Sequence, residues 1–217
     1  KISQIQFEAK STPAENAKLL KKYFDKTKKF DPDLICTPEC SNIITNNIDY
    51  LKKNTTFEKD CPVINMVKLF AKENNVNINI GSLLLKVKNK KKLVNRSYLI
   101  NNIGVIVKKY DKIHMFDVNI SKKETHRESD TFEAGKNIGL LNINKINIGF
   151  TICYDLRFPN LFRKLAQRGA QIILMPAAFT VPSGKDHWEV MLRSRAIENS
   201  LFVVATGMCG NHHMNRK

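Results

Sequence analysis

The chain has 217 residues, of which 42% are hydrophobic and 26% are charged. This length and composition suit one globular domain with a sizeable core, so we predict a single domain over residues 1–217. From Lys1 onward there is no secretion signal, and no apolar run is long enough to cross a bilayer. These features exclude a membrane-spanning protein and predict one that is not secreted.

The excess of basic residues is the most unusual feature of the composition. Lys and Arg total 36 against 20 acidic residues, a formal net charge of +16. The lysines are spread along the chain, and the dense run Lys86 to Lys92 lies between two strand-like segments, where a solvated loop is expected. We therefore predict no nucleic-acid partner and no membrane partner. A non-catalytic basic binding protein remains the alternative from another functional class.

The cysteines indicate a reducing compartment. An odd count of five at irregular spacing suits free thiols better than a disulfide framework, so we predict a cytoplasmic protein. The segment Cys209 to His213 resembles a metal-binding cluster, but a four-ligand site would need a further ligand. We therefore predict no metal and no cofactor.

Strand-like and helical patterns alternate along the chain, which predicts an α/β fold. Helical patterns begin near Pro13, Pro62 and Pro159, and a fourth is expected from Asp186 to Asn199. The segment Asn101 to Gly104 favours a tight turn between two strands. The expected strands are Ile2 to Phe7, Leu34 to Thr37, Val76 to Leu85, Ser97 to Ile100, Val105 to Lys109, Lys145 to Ile152, Ile172 to Met175 and Leu201 to Thr206.

Three candidate catalytic residues follow strand-like segments. Cys153 lies between an apolar strand and a helical pattern, a junction that places the thiol near the positive end of a helix and lowers its pKa. Glu39 follows a short apolar strand, so it should face the same edge of the sheet. Lys112 follows the segment that begins at Val105. Taken singly, these residues are more readily explained as a core thiol, an exposed acid and a solvated lysine.

The stretches around these residues resemble the nitrilase superfamily of carbon-nitrogen hydrolases, in particular the branch that contains omega-amidase and deaminated glutathione amidase. The resemblance covers nearly the whole chain, and its stretches occur in family order, which makes chance agreement implausible. The matching stretches are Thr37 to Glu39, Tyr110 to Val118, Arg127 to Ser129, Ile152 to Pro159, Pro176 to Thr180 and His187 to Asn199.

The resemblance implies a catalytic site made of Glu39, Lys112 and Cys153. Cys153 would attack the amide carbon to form a thioester, with Glu39 as the general base. Lys112 would stabilise the oxyanion together with the backbone N–H of Tyr154. A second glutamate, Glu128, would support Lys112 or assist proton transfer, and both roles stay open.

Further residues are expected to line the site. The resemblance places Ala178 and Phe179 beside the substrate. Arg157 follows the nucleophile and would either support its loop or bind a substrate carboxylate. His114 and His187 are expected to support the walls of the site.

The resemblance also implies a four-layer α-β-β-α sandwich that forms a homodimer. Family members continue beyond the position that matches Lys217, so we expect the sandwich to be incomplete at its C-terminal end. The implied reaction is hydrolysis of a small carboxamide with release of ammonia, on deaminated glutathione or a related keto-acid ω-amide. The stretch Cys209 to His213 favours that branch. The alternative is an omega-amidase that acts on α-ketoglutaramate or α-ketosuccinamate.

Overall fold

The structure is a computed structural model that describes residues 1–119 and 125–214. Two larger β-sheets lie face to face, and helices cover the outer side of each sheet. The four layers follow the order α-β-β-α. The predicted fold class is therefore confirmed.

The first sheet comes from the N-terminal half of the chain, in the order β1-β2-β3-β4-β5. Strands β1, β2 and β3 are parallel, and β4 and β5 continue the sheet antiparallel. The turn predicted at Asn101 to Gly104 is confirmed, with Gly104 at φ +80°. The run Lys86 to Lys92 lies between β3 and β4, as predicted. The strands are β1 (Ile2–Gln4), β2 (Leu34–Cys36), β3 (Asn77–Leu85), β4 (Val94–Ile100) and β5 (Ile106–Asp111).

The second sheet comes from the C-terminal half, in the order β11-β10-β9-β8. Strands β9, β10 and β11 are parallel, and β8 pairs antiparallel with β9. A separate ribbon pairs β6 with β7. We did not predict β6 and β7, because DVN holds one apolar residue and THR none, nor β8, whose apolar residues do not alternate strictly. These strands are β6 (Asp117–Asn119), β7 (Thr125–Arg127), β8 (Gly139–Ile143), β9 (Ile146–Phe150), β10 (Ile172–Ala177) and β11 (Phe202–Gly207).

Helices α1 and α3 cover the first sheet, and α5 and α6 cover the second. Helix α1 begins at the predicted proline because the Thr12 hydroxyl caps the Glu15 N–H while the Glu15 carboxylate accepts the Thr12 N–H. Helix α6 begins at Val181 and not at Asp186, since Pro182 is tolerated in a first turn. No helix in residues 1–119 and 125–214 is long and apolar enough to cross a membrane. The helices are α1 (Pro13–Thr27), α2 (Ile48–Asn54), α3 (Pro62–Glu73), α4 (Glu128–Thr131), α5 (Pro159–Gln167) and α6 (Val181–Asn199).

Apolar side chains fill the spaces between the four layers. Leu20 and Phe24 of α1 are fully buried in the cluster that includes the outer face of the first sheet. Leu99 and Phe150 lie in the cluster between the two sheets. Phe162 of α5 packs under the second sheet. Full burial of one such side chain contributes roughly 1.5–3 kcal/mol, so these clusters hold the layers together.

Gly81 shows how closely the two sheets approach each other near their edge. A Cβ at this position in β3 would lie 2.0 Å from the Thr37 carbonyl oxygen and 2.5 Å from the Pro176 Cβ. Since a side chain does not fit, β3 passes directly against the loop after β2 and against β10. This contact brings the loop that carries Glu39 to the end of β10.

Candidate active site

The ends of strands from both sheets meet at a pocket of about 190 Å³. Glu39 lies in the loop after β2, Lys112 directly follows β5, and Cys153 follows β9. All three side chains line this pocket. The structure thus brings together three residues that are far apart in sequence.

Glu39 is a buried carboxylate that accepts hydrogen bonds on both oxygens. It is 4% exposed, so the interpretation as a solvated acid is wrong. Its Oε1 accepts from Asn95 Nδ2 at 2.9 Å and from Lys112 Nζ at 3.1 Å, and its Oε2 accepts from the Ala178 N–H at 2.8 Å. Burial alone would raise the pKa of Glu39. The charge of Lys112 and hydrogen bonds from Cys153, Asn95 and Lys112 outweigh burial, and the pKa of Glu39 is lowered.

The turn that carries Glu39 is fixed to strand β3. Cys40 adopts a φ of +57°, which turns the chain sharply after the glutamate. The Ser82 hydroxyl accepts the Cys40 N–H at 3.0 Å, and the Ser82 N–H donates to the Pro38 carbonyl at 3.2 Å. Ser82 lies where the register of β3 and β4 shifts. The irregularity in β3 therefore lets Ser82 bond the residues on both sides of Glu39 and hold its loop in place.

Lys112 is buried between two carboxylates. Its Nζ lies 2.9 Å from each carboxylate oxygen of Glu128 and 3.1 Å from Glu39 Oε1. Burial alone would lower the pKa of Lys112, but the charges of Glu128 and Glu39 outweigh it and raise the pKa well above its ordinary value. The ammonium therefore stays protonated at neutral pH. Glu128 also accepts the Phe116 N–H at 2.6 Å, which fixes its own position.

Cys153 opens a short 3₁₀ turn over Cys153–Arg157 and has a φ of +49°. A non-glycine residue in this region costs roughly 1–3 kcal/mol and persists only where its surroundings impose it. Burial and the negative charge of Glu39 raise the pKa of Cys153 well above its ordinary value, although Lys112 lowers it. The prediction that a helix terminus lowers this pKa is therefore wrong. The long helix α5 begins only at Pro159, and the carboxylate beside the thiol has the larger effect.

At rest the site therefore holds a neutral thiol, a carboxylate and an ammonium. The thiol and the Glu39 carboxylate line the same pocket and interact directly, so Glu39 is placed to accept the Cys153 proton. The Lys112 ammonium lies beside the same carboxylate. This arrangement can generate a thiolate during a reaction and place a positive charge next to it.

The other predicted pocket residues have distinct surroundings. Tyr154, Arg157, Ala178 and Phe179 all line the pocket. The Ala178 N–H donates to Glu39, so in this structure it acts on the carboxylate. Arg157 lies between the rings of Tyr154 and Phe179, at 5.8 and 5.9 Å from their centroids, and bonds His187 Nδ1 at 3.1 Å. No carboxylate pairs with Arg157 within residues 1–119 and 125–214.

Two buried polar residues at the site were not predicted. Asn95 of β4 donates to Glu39, and its own Oδ1 has no hydrogen-bond partner within the described part of the chain. Asp155 is fully buried and bonds His114, Tyr110 and the backbone N–H of Ile152. Asp155 lies in Ile152 to Pro159, one of the stretches that resemble the family. Asn95 lies outside all of these stretches, so nothing in the sequence pointed to it.

The cluster from Cys209 to His213 makes protein contacts. His212 Nδ1 accepts the Ala9 N–H at 3.2 Å, and His213 Nδ1 lies 3.0 Å from the Thr45 hydroxyl. Within the ranges that the structure describes, no three His, Cys, Asp or Glu side chains are grouped as metal ligands would be. The five cysteines are free thiols, as predicted, and Cys209 is exposed.

Fold and pocket together define the class of protein. The carbon-nitrogen hydrolase family matches residues 1–217, and the chain belongs to this family. It is 38% identical over 188 residues to the deaminated glutathione amidase of Yersinia enterocolitica, covering 85% of this chain and 65% of that protein. It is 33% identical over 222 residues to the deaminated glutathione amidase of Dictyostelium discoideum, covering 100% of this chain and 76% of that protein.

A solved structure supports the same assignment. The NitFhit protein of Caenorhabditis elegans matches with a TM-score of 0.87 and 30% identity, covering 100% of this chain and 53% of that chain. The chain thus spans about half of the NitFhit chain and about two thirds of the Yersinia enterocolitica protein. The membership of the nitrilase superfamily expected from the sequence is confirmed.

Proposed function

We propose that this chain carries the active site of an amidase that hydrolyses a small keto-acid carboxamide through a thioester on Cys153. The observation that carries the proposal is the shared pocket of Glu39, Lys112 and Cys153, in which Lys112 Nζ donates to Glu39 Oε1 at 3.1 Å. The relatives named deaminated glutathione amidase support the substrate class.

In the first half of the reaction, the Cys153 sulfur attacks the amide carbon while Glu39 accepts the thiol proton. The carbonyl oxygen becomes an oxyanion, which Lys112 Nζ and the Tyr154 backbone N–H stabilise. Glu39 then gives its proton to the amide nitrogen, and the C–N bond breaks. The leaving group is ammonia from a primary amide. From deaminated glutathione, whose amide nitrogen is substituted, the leaving group is an amine, so the release of ammonia expected from the sequence applies to primary amides only.

In the second half, Glu39 accepts a proton from a water molecule that attacks the thioester carbon. The C–S bond then breaks, the carboxylic acid leaves, and Glu39 returns the proton to the Cys153 sulfur. One carboxylate performs every proton transfer, because it lies beside the sulfur and its lowered pKa keeps it ionised at neutral pH. Glu128 holds Lys112 with two hydrogen bonds, which supports a positioning role.

We propose that Arg157 binds the carboxylate of the substrate. This guanidinium lines the pocket and has no carboxylate partner within the described residues, while the Tyr154 and Phe179 rings limit its movement. A planar guanidinium can bind a carboxylate with two parallel hydrogen bonds. Omega-amidase activity on the smaller keto-acid amides is the second candidate, since the same guanidinium would bind them too. Homodimerisation and a cytoplasmic location remain predictions from the sequence.

The decisive experiment follows the acid product by mass spectrometry with deaminated glutathione, α-ketoglutaramate and a neutral primary amide. We expect turnover of a keto-acid amide and an acyl adduct on Cys153 after rapid quenching. Cys153→Ala should abolish both, and Cys209→Ala, which removes an exposed thiol, should leave both unchanged. Full turnover by Cys153→Ala, or an adduct on another cysteine, would show that the nucleophile is wrong.

A second variant pair tests the carboxylate assignment. Arg157→Gln should raise KM for a keto-acid amide by roughly tenfold or more, since a charge-assisted hydrogen bond contributes roughly 1.5–3 kcal/mol, and should change KM for a neutral amide far less. Arg193→Gln is the matched control, because Arg193 is an exposed arginine that does not line the pocket, and it should leave both KM values unchanged. Equal effects of Arg157→Gln on both substrates would contradict the assignment.

A further inference from the structure

Asp155 is a buried carboxylate that links two parts of the active site, and no step of the proposed reaction uses it. It lies in the 3₁₀ turn that begins with Cys153 and has no exposed surface. Its Oδ2 accepts the Ile152 N–H at 2.8 Å and the Tyr110 hydroxyl at 2.6 Å. Its Oδ1 accepts the His114 N–H at 3.1 Å, and His114 Nδ1 lies 2.6 Å away. Because an ionised carboxylate only accepts, the ring nitrogen is the donor.

These partners come from both sides of Lys112. Tyr110 precedes Lys112 and His114 follows it, so one carboxylate holds the lysine segment at both ends. Burial and the negative charge of Asp155 raise the pKa of Tyr110 well above its ordinary value, which keeps its hydroxyl protonated as a donor. The His114 ring also stacks on Phe158, with centroids 3.6 Å apart. The lysine segment is thereby tied to the residues after the nucleophile.

The same carboxylate holds the nucleophile turn itself. The Ile152 N–H donates to Asp155 Oδ2, and the Asp155 N–H donates back to the Ile152 carbonyl at 3.0 Å. Cys153 lies between these two reciprocal bonds and adopts its φ of +49° there. A residue in this conformation needs its surroundings to impose it, and Asp155 supplies both sides of that constraint.

We propose that Asp155 is a positioning residue that sets the separation between the Cys153 sulfur and the Lys112 ammonium by clamping the nucleophile turn to the lysine segment. The inference rests on the proposed amidase reaction, in which the oxyanion forms between these two groups. Loss of the clamp should slow the chemical step more than substrate binding. A displacement of about 1 Å between reacting groups can cost about a hundredfold in rate.

The test uses a pair of matched tyrosine variants. Tyr110→Phe removes one donor to Asp155 and keeps the ring in the core. Tyr98→Phe is the control, because the buried Tyr98 hydroxyl makes the same kind of bond, at 2.8 Å, to the Glu58 carboxylate away from the pocket. We expect Tyr110→Phe to lower kcat per titrated active site by about tenfold with KM changed little. Tyr98→Phe should lower the melting temperature about as much as Tyr110→Phe does, but it should leave kcat unchanged. Asp155→Asn should lower kcat by roughly a hundredfold.

Alkylation of Cys153 by iodoacetamide, followed by peptide mass mapping, gives a readout that needs no knowledge of the substrate. We expect slower Cys153 alkylation in Tyr110→Phe than in Tyr98→Phe, while the exposed Cys209 reacts equally in both. Equal kcat and equal Cys153 alkylation rates in the two tyrosine variants would overturn the proposal that Asp155 positions Cys153 relative to Lys112. If the unmodified protein hydrolyses no amide, the proposed function fails, and the alkylation rates still decide whether Asp155 positions the thiol.

Discussion

The two sheets of this protein contribute differently to the site and to the core. The first sheet and its loops supply buried charged and polar groups, namely Glu39, Lys112 and Asn95. The second supplies the thiol of Cys153 and the Ala178 N–H. Their outer layers differ as well. Helix α1 buries an apolar stripe that includes Leu20 and Phe24, whereas Arg195 is the buried residue of the 19-residue helix α6.

This difference concentrates the buried charged groups and much of the apolar core in the first half of the chain. The first half holds ionised groups out of water, which requires a rigid frame of paired charges and hydrogen bonds. The second half presents a neutral thiol at a strained turn next to that frame, and the buried Asp155 bonds this turn. The proposed chemistry therefore depends on both sheets, while much of the apolar stabilisation resides in the first.

The largest effect is expected from removing the base on the first sheet. Glu39→Gln keeps the shape of the side chain but cannot accept the thiol proton, so turnover should fall by roughly 10²–10⁴-fold. Because Glu39 and Cys153 act as one unit across the two sheets, Glu39→Gln combined with Cys153→Ala should cost little more than the worse single change. Steady-state rates of acid formation measure both. If the effects of the two substitutions on turnover multiply, the two sheets contribute independently.

Truncations in α1 and α6, one helix from each outer layer, test the difference in their packing. Phe24→Ala in α1 removes a fully buried ring and should lower the free energy of unfolding by roughly 3–5 kcal/mol. Val190→Ala in α6, where the side chain is 62% exposed, should change it by less than about 0.5 kcal/mol. Urea denaturation monitored by circular dichroism measures both values. Similar losses of free energy of unfolding in the two variants would contradict the inference that α1 is packed more tightly than α6.

Lys112→Met tests the charge on the first sheet without removing the nucleophile. The ammonium would be lost at the oxyanion, and turnover should fall by roughly 10²–10³-fold, as for the loss of one oxyanion donor. Methionine also leaves Glu39 and Glu128 without their shared cation. Rates should therefore be compared at equal folded fraction, established by circular dichroism. A variant that turns over normally would remove Lys112 from the mechanism.

The smallest effect is the pH dependence of stability that Glu39 imposes. Its pKa in the folded protein is lowered, so it contributes stability above its unfolded pKa of about 4.3. That contribution disappears as the pH falls through the lower pKa of the folded state. Between pH 6 and pH 3.5, the free energy of unfolding measured in urea should therefore fall more for the unmodified protein than for Glu39→Gln. An equal loss in both proteins would mean that Glu39 is not stabilised as an anion.

Much of the architecture followed from local patterns. The prolines at positions 13, 62 and 159 marked the starts of α1, α3 and α5, and the asparagine-rich turn before Gly104 predicted the β4–β5 hairpin. These features depend on residues adjacent in sequence, so a single chain reveals them. The order of the matching stretches likewise identified the family, and it predicted a shared site for Glu39, Lys112 and Cys153, which line one pocket.

Only the tertiary structure decided the protonation states and hydrogen-bond partners of these residues. The pKa of Cys153 is raised and not lowered, because burial and the Glu39 carboxylate from the other sheet outweigh a helix that begins at Pro159. The hydrogen bonds of Asn95 and Asp155 could not be predicted, because their partners, Glu39, Tyr110 and His114, are distant in sequence. Protonation states and hydrogen-bond networks depend on which charges share a buried volume. That volume exists only once the two sheets have packed together.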